Sequence, residues 1–279
     1  MKKTMLAVAL IATSQLSYAA NVLVVLSDSN QLTLQDGKNH PTGFYLNELM
    51  QPVKLLIDNG DTVTFATPLG KVPTLDQASV NKKDFGGDQH ALDTHLELLN
   101  QLKITDKQHS PVISLSRVEQ IGYDHFDAVF VPGGHAPMQD LVVSPQMGSL
   151  LRAFHQAGKT TALVCHGPIA LISALPDVAT FIHQLEKNPQ TTAHNWIYAG
   201  YKMTSFTNPE EVASEGIFNG GKMKFTPQTA LTAAGAEFSA ADEKWQSHVI
   251  TDRELITGQN PASAMALGKL LVSRLHSQN

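Results

Sequence analysis

Three segments carry residues whose type and setting could do covalent chemistry, and a fourth could orient them. The first is Cys165-His166-Gly167-Pro168, which holds the one cysteine of the 279 residues. It ends an apolar run at 159–165 that reads as a strand, and a helix is expected from 167 to 174. A strand turning sharply into a helix can present a side chain on a strained elbow. The helix N-terminus below it favours a thiolate over a thiol, and the thiolate is the nucleophile. The competing reading is a small buried hydrophobe, a common fate of a lone cysteine.

The second segment is Val131-Pro132-Gly133-Gly134-His135, at the end of another apolar run. Glycines there let backbone approach a ligand, and their N–H groups could hold an oxyanion. His135 could be catalytic, but it reads more readily as a surface-loop histidine. The third is Glu48, in Tyr45-Leu46-Asn47-Glu48-Leu49-Met50. If buried, its carboxyl would be pushed toward the neutral form and could shuttle protons; otherwise it is a solvated helix residue. The fourth is the pair Glu210-Glu211, which could orient a histidine or simply sit at a helix N-terminus. Cys165 and His166 are chain neighbours, and such neighbours do not face each other on a regular helix. Their pairing requires the elbow.

These residues need a scaffold. Residues 21–27 form a continuous apolar run suited to a strand buried on both faces. A helix is expected over 43–59, closed by Gly60, then a strand over 62–66. Strands at 127–131, 159–165 and 254–257 alternate with helices near 146–157 and 261–276. Asn260-Pro261 offers an N-cap with proline at the first helical position. Residues 68–120 break this rhythm and read as a decorating insertion containing a helix at 91–102. The pattern predicts one α/β sandwich over residues 20–279, mostly parallel, with helices on both faces.

Composition excludes several classes. One cysteine allows neither an internal disulfide nor a cysteine-rich zinc site. With 42% apolar and 16% charged residues, the chain has the composition of a packed core. A net charge of −5 gives no reason to bind nucleic acid. Residues 1–19 form a secretory signal pattern: Lys2 and Lys3, an apolar run at 5–13, then Ser17-Tyr18-Ala19. Cleavage after Ala19 leaves 18 basic against 25 acidic residues. No later stretch is long and apolar enough to span a membrane. The mature protein is therefore expected in a bacterial periplasm, away from the membrane. An unpaired thiol in an exported chain favours a functional Cys165.

The ordered set of motifs resembles the ThiJ/PfpI superfamily, of class I glutamine-amidotransferase-like, flavodoxin-like fold. It covers Thr42-Gly43-Phe44-Tyr45-Leu46-Asn47-Glu48, Phe130-Val131-Pro132-Gly133-Gly134-His135, the Cys165 elbow, Ser205-Phe206-Thr207-Asn208-Pro209-Glu210-Glu211, and Asn260-Pro261-Ala262-Ser263-Ala264. It looks most like the branch of heat-shock chaperones and glutathione-independent glyoxalases. The resemblance implies Cys165 as nucleophile, His166 and Glu211 as its triad partners, and Glu48 as the adjacent carboxylate. Glu210 stays open as the alternative, because the short run aligns either way. Backbone of Gly134 and His166 would form the oxyanion pocket. No cofactor or metal is implied, and a homodimer is. Two departures stand out: Leu163 replaces a small residue two places before the cysteine, and residues 218–226 differ from the usual pattern.

The implied activity is a lyase converting methylglyoxal or related 2-oxoaldehydes to 2-hydroxy acids. A redox-responsive holdase and a cysteine-dependent peptidase, amidase or deglycase are the rivals. A narrow site closed by residues 85–100 would favour a small aldehyde, and an open groove would favour peptides.

Overall fold

The computed structural model describes residues 19–277. Nearly all of the export pattern lies outside the described residues. Seven strands make the main sheet: β1 (Asn21–Val25), β4 (Thr62–Thr67), β5 (Ile113–Ser114), β6 (Ala128–Val131), β7 (Thr160–Val164), β10 (Val249–Asp252) and β11 (Leu255–Gly258). Their order is β10-β11-β7-β6-β1-β4-β5. Every pairing is parallel except the β10–β11 hairpin. Two small ribbons lie outside it, β2 (Gln31–Thr33) with β3 (Asn39–Pro41), and β8 (Lys202–Met203) with β9 (Glu237–Phe238).

The central strands are apolar throughout because both faces are covered. Leu23, Val25, Val129, Val131 and Leu163 point into one core. Val22, Val24, Ala128, Phe130, Ala162 and Val164 point into the other. Leu163 is fully buried in the first core, so the bulk at this position is absorbed on the face away from Glu48. The second core is roofed by α1 (Leu46–Asp58), α2 (Gln89–Gln101) and α8 (Ala264–His276). The first is covered by α3 (Leu115–Ile121), α4 (Pro145–Ala157), α5 (Val178–Lys187), α7 (Pro227–Ala233) and a buried 3-10 segment, Gly167–Ala174. A short helix, α6 (Asn208–Ser214), carries the acidic pair.

The strand order reverses at β1, whose neighbours are β4 on one side and β6 on the other. Ligands of open parallel sheets collect at such a switch point, beyond the carboxyl ends of the strands. The β1, β6 and β7 ends supply the candidate site.

One expectation needs correction. The region 68–120 is not wholly decoration. Its α2 packs on α1, but β5 pairs with β4 and makes the sheet edge, with α3 following. A two-residue strand has too little length to show a period. The helix expected over 167–174 is present and is a 3-10 helix, with Pro168 in its first turn.

A close helix contact constrains sequence. A Cβ on Gly268 of α8 would lie 3.0 Å from Pro52 Cα in α1. Gly268→Leu is expected to lower stability by about 1–3 kcal/mol, read as a lower urea midpoint with an unchanged slope. An unchanged midpoint would mean that the two helices part without cost.

Candidate active site

The site is built on one strained residue. Cys165 has φ +62°, a left-handed backbone in a residue that carries a Cβ. That conformation costs roughly 1–2 kcal/mol. It is fixed on both sides: its N–H donates to Gly258 O at 2.9 Å, and its C=O accepts from Phe206 N–H at 2.8 Å. Neighbouring glycines leave the room, since a Cβ at Gly167 would meet the Val131 and Pro132 carbonyls. The bend turns His166 back, placing its Nδ1 3.2 Å from Cys165 Sγ. Chain neighbours thus face each other, as the elbow requires.

His166 Nε2 lies 2.7 Å from Glu211 Oε1, and both side chains are buried. Burial alone would raise the Glu211 carboxyl. His166, followed by His135, outweighs it and holds the group down at about 2. An ionised carboxylate only accepts, so Nε2 carries a proton, and Nδ1 is the ring nitrogen that faces the sulfur.

Glu210 is used elsewhere. It closes a capping box with Thr207 and accepts from Trp245 N–H, Gln259 Nε2 and Asn260 Nδ2. The ambiguity of the acidic pair is therefore resolved by which face of α6 each residue occupies.

Glu48 lies in the first turn of α1 and is fully buried. Its Oε2 accepts from Gly133 N–H at 2.8 Å, while Tyr45 N–H donates back to Gly133 O at 3.1 Å. Its carboxyl faces the Cys165 thiol. Burial pushes it up to about 8, against the opposing pull of the thiol and the Gly133 N–H. The thiol moves up as well, through burial and then the Glu48 charge, with the Gly134 N–H opposing. Burial and the Glu48 charge thus oppose the helix-end effect that favours a thiolate.

Gly134, with φ +88°, turns its N–H to the sulfur. His166 N–H follows Cys165 directly, the position of the second donor in such an elbow.

His135 is not a surface-loop histidine. It is buried, with its ring 4.1 Å from that of His166 and its Nε2 3.9 Å from Glu211 Oε2. Burial and then the His166 charge lower its pKa. Phe218 packs edge-on against His135, and Phe206 stacks on His166 at 4.7 Å. Sequence patterning could not reveal these contacts. The divergent stretch after α6 thus supplies a wall of the site. His135, His166 and Glu211 offer donor atoms within 4.8 Å of one another, a set zinc accepts. An ion there would take the atoms that join His166 to Glu211.

A cavity of about 1050 Å³ opens above the sulfur. Tyr45, Asp76, Lys83, Ile217, Trp245 and Met265 are among its lining residues. It is not closed by residues 85–100, of which only Gly86 reaches it. Helix α2 turns its apolar side to the core under α1 instead.

Residues 40–227 match a family model described as ThiJ/PfpI family-like. The chain belongs to the ThiJ/PfpI family. It is 27% identical over 257 residues to the protein/nucleic acid deglycase HchA of Staphylococcus aureus, covering 91% of this chain and 79% of that one. Among solved structures, the Rapid Encystment Protein 24 KDa of Francisella tularensis is similar at TM-score 0.70 and 25% identity, over 92% of this chain and 99% of that one. Glyoxalase III of Candida albicans shares the fold at TM-score 0.66 and 21% identity, covering 91% and 96%. The ThiJ/PfpI fold is the flavodoxin-like sandwich described above.

Two outcomes follow for this member. Iodoacetamide alkylation of Cys165 should track a pKa above the ordinary thiol value, and Glu48→Gln should move the profile to lower pH, because a nearby negative charge is removed. A profile near 8.5 in both proteins would rule out the coupling. Glu210→Ala strands five donors and should cost on the order of 3 kcal/mol or more in urea unfolding. A cost below ~1 kcal/mol would deny it that structural role.

Proposed function

We propose that the protein is a cofactor-independent glyoxalase- or deglycase-type enzyme acting on 2-oxoaldehydes, with methylglyoxal to lactate as reference reaction. The observation that carries this is Cys165 held in a left-handed elbow between Glu48 and the His166–Glu211 pair. The names of the similar proteins, a deglycase and a glyoxalase III, point the same way.

The chemistry balances without a redox partner. His166 Nδ1 takes the thiol proton, and Glu211 stabilises the resulting imidazolium. The sulfur adds to the aldehyde carbon, and the oxyanion faces the Gly134 and His166 N–H groups before it is protonated. The hemithioacetal loses the hydrogen on that carbon to Glu48, giving an enediolate charged on the neighbouring oxygen. The hydroxyl proton passes to that oxygen as Glu48 returns a proton to the adjacent carbon, leaving a 2-hydroxy thioester. Water then cleaves the C–S bond, releasing the 2-hydroxy acid and restoring the thiol. A carboxyl pushed up to about 8 can both take and give a proton near neutral pH.

A second reading is favoured by the cavity. Its volume of about 1050 Å³ far exceeds a five-heavy-atom aldehyde. It has room for an aldehyde still attached to an amino acid or peptide, so hydrolysis of such adducts is the alternative reaction. The export pattern suggests that either would protect periplasmic proteins from carbonyl stress.

Purified protein incubated with methylglyoxal, without added thiol, should form lactate. Cys165→Ala should abolish this, and Glu48→Gln or Glu211→Gln should lower it roughly 10²-fold or more. Adducts preformed on N-acetylarginine separate the two readings: their loss must outpace spontaneous release of the aldehyde. Neither lactate nor accelerated adduct loss would reject the proposal.

A further inference from the structure

The start of β1 is surrounded by acid. Ala20 N–H donates to Asp61 Oδ1 at 2.9 Å, and Asn21 N–H donates to Asp127 Oδ2 at 2.8 Å. Asp61 immediately precedes β4 and Asp127 immediately precedes β6, the two strands that flank β1. Each neighbour therefore brings a carboxylate to the same end of the central strand. The Asp61 side chain is fully buried. Its one ion-pair partner among the described residues is His276 Nε2 at 3.1 Å, charged only when protonated. A buried carboxylate facing a neutral peptide N–H and a conditional histidine lacks a permanent counter-charge.

The sequence supplies one at that atom. Ser17 and Ala19 are small residues at the two positions read by a signal peptidase, so the cut falls between Ala19 and Ala20. A cut one residue later would put Tyr18 at the outer of those positions. Hydrolysis adds water across the Ala19–Ala20 amide. The C–N bond breaks, Ala19 keeps a carboxylate, and the Ala20 nitrogen becomes an ammonium. No linker separates this nitrogen from the sheet: Ala20 O already accepts from Thr62 N–H at 2.8 Å, and β1 starts at Asn21.

We infer that Asp61 is the seat of a processed N-terminus, pairing with the α-ammonium of Ala20 after the chain is cut behind Ala19. Cleavage acts on the translocating chain, before Ala20 is buried. The new charge then enters the sheet with β1 and neutralises Asp61. A chain that keeps its leader offers Asp61 only an amide N–H. The pairing ties the last increment of stability at the centre of the sheet to maturation.

The test begins with the full 279-residue chain, expressed in a Gram-negative host and recovered from the periplasm. N-terminal sequencing should give Ala20. Acylation of the α-amine by an N-hydroxysuccinimide ester at pH 7.5 is then followed by mass spectrometry of the N-terminal peptide. In the native protein it should run at least ten-fold slower than in urea. Asp61→Asn should speed the native reaction several-fold, because the ammonium loses its partner and deprotonates more readily. A different first residue, or equal rates in native and unfolded protein, overturns the inference. If Asp61→Asn does not fold, the native-to-urea comparison decides.

Discussion

A single left-handed residue organises the reactive end of this molecule. At φ +62°, the Cys165 backbone can neither extend β7 nor begin a regular helix. It is held there by the Gly258 carbonyl on one side and the Phe206 N–H on the other. β11 must therefore lie beside β7, and the 204–207 segment must cross the elbow. Once it does, α6 follows, and its first turn delivers Glu211 to His166. Strain at one position thus fixes three distant segments, as expected where structure over-determines an unfavourable conformation.

The same geometry divides the protons. Two buried carboxyls sit within reach of one thiol–imidazole pair, and their settings push them in opposite directions. Glu48 has one N–H and an apolar surround, so burial takes it up to about 8. Glu211 faces two imidazoles and falls to about 2. One carboxyl is thus pushed toward its neutral form and the other held as a charge. Such separation of like groups is how a fold assigns acid and base roles. Burial also pushes the Cys165 thiol up, away from the thiolate form that oxidises most readily.

Much of this was legible in the chain. The run Val22-Leu23-Val24-Val25 shows a strand with two covered faces, and the Cys165 and Gly133-Gly134 motifs announce the elbow and its backbone donors. Other features were not legible. β5 is two residues long, and its pairing with β4 exists only through contacts between residues 47 positions apart, such as Ala66 and Ile113. His135 sits in a glycine turn that any surface loop could use, and only the approach of His166 and Phe218 buries it. Both members of Glu210-Glu211 lie in the first turn of the same short helix; rotation about its axis gives one to the triad and the other to a hub of five donors.

The sequence by itself determined five strands of the main sheet, the helices that follow several of them, the elbow and the identity of its chemical groups. These depend on local periods, glycine and proline placement and residue type, which a chain carries without folding. Tertiary structure alone decided which carboxylate meets His166, which way each acid titrates, and how large a cavity stands above the sulfur. Those properties are set by distance, burial and neighbouring charge among residues 48, 134, 165 and 211, and chain order does not encode such separations.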